Sequence, residues 1–204
     1  MQNVQSAWLL LLYCGGARAN YLCRVVDPHY AAEYAVGHDA NLSTCLYRIL
    51  EIQAVAINPI WKIVATLPLC QGGLGLRSMM RIGPAAYWAS WADCLSMIQN
   101  RHPDIAEHMI NELNQDESSC RFTSKASACR ELLRERGMVL PTWEALGNGA
   151  RPPPIPQEDK EPGIFGHGWQ FYATKTLDGV CRDTCMDLLN PSMKAHLRSQ
   201  TGNI

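Results

Sequence analysis

Residues 67–100 read LPLCQGGLGLRSMMRIGPAAYWASWADCLSMIQN, and this stretch decides the fold class. The segment 67–78 holds three glycines and one proline in twelve residues. Glycine at that density is costly inside a helix, so the spacing predicts a loop or turn. From residue 79 to residue 100 the pattern becomes helical. Tyr87, Trp88, Trp91, Leu95 and Ile98 recur at three- and four-residue spacing and form one apolar stripe. Such a stripe could stack on nucleic-acid bases, but at helical spacing it reads as core. Pro84 is expected in the first turn of this helix.

Beyond this stretch the helical period holds nearly throughout. Towards the N-terminus, Trp8, Leu11 and Leu12 share a face of a helix that Gly15-Gly16 ends. A second short helix covers 17–26, with Tyr21, Leu22 and Val25 inward. Asp27-Pro28 is a cap-plus-proline start signal for a helix running to about residue 51. That helix presents Tyr30, Tyr34, Leu42, Cys45, Leu46 and Ile49, with Gly37 weakening its middle. Asn58-Pro59 repeats the signal and opens a helix through Ile60, Trp61, Ile63 and Val64. Towards the C-terminus come a helix over 103–113 capped by Asp104, a polar helix over 118–136 stopped by Gly137, and a short turn at 141–146. The stretch 147–168 is dense in proline, glycine and charge and reads as a linker, polyproline-like over 151–156. A helix over 169–189 and a last one opened by Asn190-Pro191 complete the chain. With no strand run and no internal repeat, the fold class is all-α: an irregular helical array or bundle. The predicted domains are 1–146, a helical region, then the linker 147–168, then a C-terminal helical segment 169–204.

The 204 residues are 47% hydrophobic and 18% charged, with a formal net charge of −1. That composition supports a core and excludes a disordered polyelectrolyte or a nucleic-acid binder working by bulk positive charge. Residues 1–100 carry 11 charged side chains and residues 101–204 carry 26. The first half is therefore expected to be deeply buried or built to pack against a surface outside this chain. Nine cysteines, an odd number, fit poorly with a closed disulfide set and indicate free thiols in a reducing compartment. The apolar run 8–14, followed by Ala17-Arg18-Ala19, imitates a signal peptide, but no basic residue precedes it and the run is minimal. It is read as a buried helix.

Chemical signatures are sparse. No hydrolase elbow, zinc-protease helix, Walker loop or dinucleotide fingerprint occurs. Cys181, Cys185 and His196 fall short of a zinc pattern. Asp183 and Asp187, one helical turn apart, read as an exposed acidic face rather than a metal site. His38-Asp39 reads as a solvated or helix-capping pair, because adjacent helical residues do not face each other. Gly72-Gly73-Leu74-Gly75 with Arg77 could cradle a phosphate; a structural turn is the simpler reading.

The order AWLLLLYCGGARANYLCRVV, HDA, LPLCQGGLGLRS, AAYWASWADCL, and then GWQFYATKTLDGVCRD and LRSQTG, resembles the region after the polymerase core in reverse-transcriptase-like proteins of non-LTR (LINE-type) retrotransposons. The resemblance spans most of the chain and is weakest over 110–165. In that family a palm with paired aspartates binds two Mg²⁺ ions; this sequence contains no Asp-Asp pair. The resemblance implies a non-catalytic thumb and connector that holds a template–primer duplex through its backbone. Its partners would be RNA or an RNA–DNA duplex and the palm and fingers. No cofactor is expected, Mg²⁺ belonging to the palm, and the setting would be the nucleus or cytoplasm. The matched positions give Arg18, Asn20, Arg24, Gly72, Gly73, Gly75, Arg77 and Ser78 as candidate nucleic-acid contacts, and no catalytic residue. Two other readings stand beside it: a helical protein–protein interaction module docking through its apolar first half, and an enzyme with an unrecognised site.

Overall fold

A computed structural model describes residues 3–53, 58–115, 118–154 and 167–201. Among these residues the chain is all-α, with no strand. The helices are α1 (Val4–Leu10), α2 (Arg18–Val25), α3 (Pro28–Ile49), α4 (Pro59–Thr66), α5 (Met79–Arg101), α6 (Pro103–Leu113), α7 (Arg121–Glu135), α8 (Trp143–Gly147), α9 (Trp169–Leu188) and α10 (Pro191–Ser199). No described helix is long and apolar enough to cross a membrane.

The helices divide into two compact units. One contains Met1–Leu22, Tyr30–Ile82 and Asp178–Ile204; the other contains Cys23–His29 and Gly83–Leu177. Within the stretch 169–204, residues to Leu177 fall in the second unit and those from Asp178 in the first. Residues 155–166 of the expected linker lie outside the described residues.

In the first unit, Asn3 caps α1 by accepting from the Ser6 N–H at 3.2 Å. The chain runs on through a π-helical turn, Leu11–Gly16. Contrary to expectation, α1 buries no residue, and Leu10 is 64% exposed. Trp8 and Leu9, and Leu11 and Leu12 beyond the helix, are half-buried, and the Trp8 indole N–H donates to the Leu74 carbonyl at 3.1 Å. The inward residue of α2 in this unit is Ala19, whereas Tyr21 is 73% exposed. In α3 the buried face is Ala31, Ala35, Leu42 and Leu46; Tyr30, Tyr34 and Cys45 face solvent. The true stripe thus lies one position from the expected tyrosines. The helix stops at Ile49, and Glu51 turns the chain with φ 54°. Asn58 caps α4 and Asn190 caps α10 as the sequence predicts, accepting from the N–H of Ile60 and Met193. A small core of Val64, Cys185, Leu189 and Leu197 joins α4, α9 and α10, flanked by Ile60, Ile63, Met186 and Met193.

The second unit is built on tryptophan. Trp88, Trp143 and Trp169 are buried with Leu95, Leu133 and Leu146. Trp88 and Trp169 meet edge to face, with ring centroids 5.7 Å apart, the arrangement the ring quadrupoles favour. The Arg130 guanidinium covers Trp143 at 5.6 Å. Of the predicted stripe of α5, Tyr87, Trp88 and Leu95 are core here, Trp91 packs against it partly buried, and Ile98 is half-buried. Two expectations about helix starts are corrected. Met79 already begins α5, so Pro84 lies inside the helix, where it costs the Met80 carbonyl its partner. The N-cap of α6 is His102, with Asp104 in the first turn, where its charge complements the helix dipole. Gly137 ends α7 with φ 86°, and Thr142 caps α8. Asp27, 2% exposed, accepts from the His29 N–H at 2.8 Å and faces the Arg121 Nε at 3.4 Å.

Candidate nucleic-acid interface

The glycine-rich loop lies wholly in the first unit. A 3₁₀ turn, Leu69–Gln71, leads into Gly72 with φ 82°. Its hydrogen bonds stay inside the chain. The N–H of Gly72 donates to the Leu69 carbonyl, that of Gly73 to Pro68, that of Gly75 to Leu67 at 2.9 Å, and that of Leu76 to Ala65. Each glycine has a steric reason. A Cβ on Gly73 would stand 2.1 Å from the Leu67 carbonyl oxygen, one on Gly72 would stand 2.7 Å from Leu197 Cδ1, and one on Gly75 would stand 2.9 Å from Leu12 Cδ1. The loop packs on the π-helical turn through Leu12 and on α10 through Leu197, and the amides of Gly72, Gly73, Gly75 and Leu76 donate to carbonyls of the chain.

The side chains that follow the loop are also engaged. The Ser78 hydroxyl donates to Asp39 Oδ2 at 2.6 Å and accepts from the Arg81 N–H at 3.2 Å. Asp39 accepts from the N–H of Met79 at 2.8 Å and of Met80 at 3.3 Å. A carboxylate from α3 therefore caps α5, and His38 beside it reaches the Gly15 carbonyl with Nε2 at 3.3 Å. Arg77, its side chain 46% exposed, faces Asp178 Oδ2 at 3.7 Å. Arg81 is the hub of this region. It donates to Asp178 Oδ1 at 2.9 Å, Thr66 Oγ1 at 2.8 Å, the Thr66 carbonyl at 2.6 Å and Cys181 Sγ at 3.3 Å. The Asp178 carboxylate is 1% exposed, and burial pushes its pKa above the ordinary value against the opposing pull of Arg81 and Arg77.

Of the remaining candidates, Arg18 and Asn20 are exposed on α2. Arg24 belongs to the second unit, where it donates to Gln170 Oε1 at 2.7 Å and Asp93 Oδ2 at 2.9 Å. The structure thus brings together Gly72, Gly73, Gly75, Arg77 and Ser78. The sequence reading missed Arg81 and Asp178. Their pairing joins positions 97 apart in the chain, which no local pattern signals. Among the described residues no group of three His, Cys, Asp or Glu could hold a metal ion. Asp183 and Asp187 are exposed. No family model matches the chain, and comparison with curated proteins and with solved structures finds no match.

Proposed function

We propose that the chain is a non-catalytic helical segment of a reverse-transcriptase-like protein, and that it works by packing its N-terminal helices on a protein surface, the polymerase portion of such a protein. One observation carries this reading. Leu10, Tyr13, Tyr21, Tyr30, Tyr34 and Val36, all in the first unit, are between 51% and 73% exposed. Contiguous apolar surface left in water marks a docking site, and these six side chains follow one another along residues 10–36. The low charge of residues 1–100 supports the same reading.

A hold on template and primer through the glycine loop is the second reading, and it rests on the resemblance and on the partial exposure of Arg77. Against it stand the internal hydrogen bonds of the loop amides and of Ser78. The test is co-purification with a palm-and-fingers polypeptide of a LINE-type reverse transcriptase. The docking reading predicts a complex that survives high salt and is lost in the double variant Tyr30→Glu/Tyr34→Glu. No complex, together with duplex binding that falls steeply with salt, overturns it in favour of the second reading.

A further inference from the structure

Helix α3 packs on one side only. A helix advances about 100° per residue. Ala31, Ala35, Leu42 and Leu46 form its buried face, and Gly37 and Thr44 lie on the midline of the face opposite. Glu33, Gly37, Ala40, Asn41, Thr44 and Arg48 on that outward face are all exposed. A Cβ on Gly37 would meet nothing within 4 Å, and Tyr34, 51% exposed, stands at the edge. Of these residues only Glu33 and Arg48 are charged, and among the described residues neither makes an ion pair.

The two charges are placed symmetrically. Glu33 precedes Ala40 by seven residues, and Arg48 follows Asn41 by seven. They also flank the midline of the face, about 30° to either side. A two-fold axis through the Ala40–Asn41 midpoint therefore lays a second α3 antiparallel on the first. It sets Glu33 against the partner's Arg48, Arg48 against the partner's Glu33, and Gly37 against the partner's Thr44. Antiparallel helices also oppose their dipoles favourably. We infer that the outward face of α3 pairs with the same face of a second copy of this chain, antiparallel about that midpoint. Exposed ion pairs add little affinity, but they fix orientation and register. Two helices of 22 residues paired this way bury on the order of 1,000 Å², the lower bound for a specific interface, so the association is weak. The inference goes beyond docking on a polymerase portion, because it concerns the chain on its own, and Leu10, Tyr13 and Tyr21 lie outside the paired face.

Sedimentation equilibrium of the full chain in reductant, over about 5–500 µM, covers the affinity expected of so small an area. The natural chain should pass from monomer to dimer within that range. Glu33→Arg and Arg48→Glu, both at exposed positions, should each weaken association at least about tenfold with helicity unchanged, because each dimer then sets two like-charged pairs face to face. An equimolar mixture of the two variants should regain the natural affinity, since every pair across the interface is again of opposite charge. A natural chain that stays monomeric to about 500 µM overturns the inference. If that monomer still forms the complex with the palm-and-fingers polypeptide, the face belongs to that partner and the docking reading stands. Association that neither variant weakens also overturns it, as does a mixture no tighter than its components.

Discussion

Asp39 on α3 and Ser78 ahead of α5 meet at 2.6 Å, the serine hydroxyl donating to Oδ2, and between them they accept from the first amides of α5. A helix N-terminus leaves its first N–H groups without intrahelical partners and carries partial positive charge. Here a carboxylate 39 residues away in sequence meets both needs at once. Asp39→Ala should therefore cost about 2 kcal/mol, at the upper end for a cap because the acceptor is charged and half-buried. Asp39→Asn should cost about half as much, since an amide oxygen still accepts. Urea midpoints at unchanged m-value measure both.

The glycine loop makes a graded prediction. Gly73→Ala forces a Cβ to within 2.1 Å of the Leu67 carbonyl oxygen, and backbone cannot yield as a side-chain tip can. It should cost at least about 3 kcal/mol or abolish folding. Gly149 has φ 87° with open space around it, so Gly149→Ala should cost only about 1 kcal/mol, from backbone strain alone. Gly37 lies mid-helix in α3 with nothing within 4 Å, and Gly37→Ala should stabilise by about 1 kcal/mol. Thermal or urea unfolding of the three variants checks the order.

Asp178 sets a pH dependence. Burial raises its folded-state pKa above the ordinary 3.8, so the folded protein holds this proton more tightly than the unfolded chain does. Its stabilising contribution is fully present below the unfolded value and is lost as the pH rises through the raised folded value. Relative to Asp178→Asn, the natural chain should lose stability as pH rises across that window. Unfolding curves between about pH 3.5 and about pH 6.5, a range spanning the usual carboxylate pKa values, show whether the two slopes differ in that sense.

The cysteines should separate by burial. Cys14, Cys45, Cys70 and Cys94 are exposed, whereas Cys23, Cys129 and Cys185 are buried. Burial pushes the Cys129 thiol up to about 12, with the Asp27 carboxylate adding to it. Only thiolates react readily. Ellman's reagent at neutral pH should thus titrate the four exposed thiols quickly and the three buried ones only after denaturant is added. Rapid labelling of Cys129 in the folded chain, located by mass spectrometry, would contradict this packing.

What the sequence made legible was local chemistry. The loop over 67–78, the Asn58-Pro59 and Asn190-Pro191 caps, the stop at Gly137 and the tryptophan stripe of α5 each depend on neighbouring residues. Hydrophobic size does not give burial on α2 or in the first half of α3, although Leu42 and Leu46 are buried as the spacing predicts. Ala19, Cys23, Ala31 and Ala35 are inside while Tyr21, Tyr30 and Tyr34 are outside. The space available to a side chain is a tertiary property, and one sequence does not display it. The helix α5 starts at Met79 as its pattern predicts, but Pro84 falls inside it rather than in its first turn, because the cap at that start comes from another helix. The candidate interface was legible as a loop, but the acceptors of its amides and the Arg81–Asp178 pairing were not, because they bind residues distant in the chain.

The phosphate-suited groups of this loop serve the fold, which on the docking reading leaves the exposed apolar side chains as the working surface. The most direct measurement is the affinity of the chain for an RNA–DNA duplex across a salt series, with Arg77→Ala alongside. Weak binding with the same salt slope for both proteins is expected. Tight binding whose slope falls by about one phosphate's worth in Arg77→Ala would contradict it.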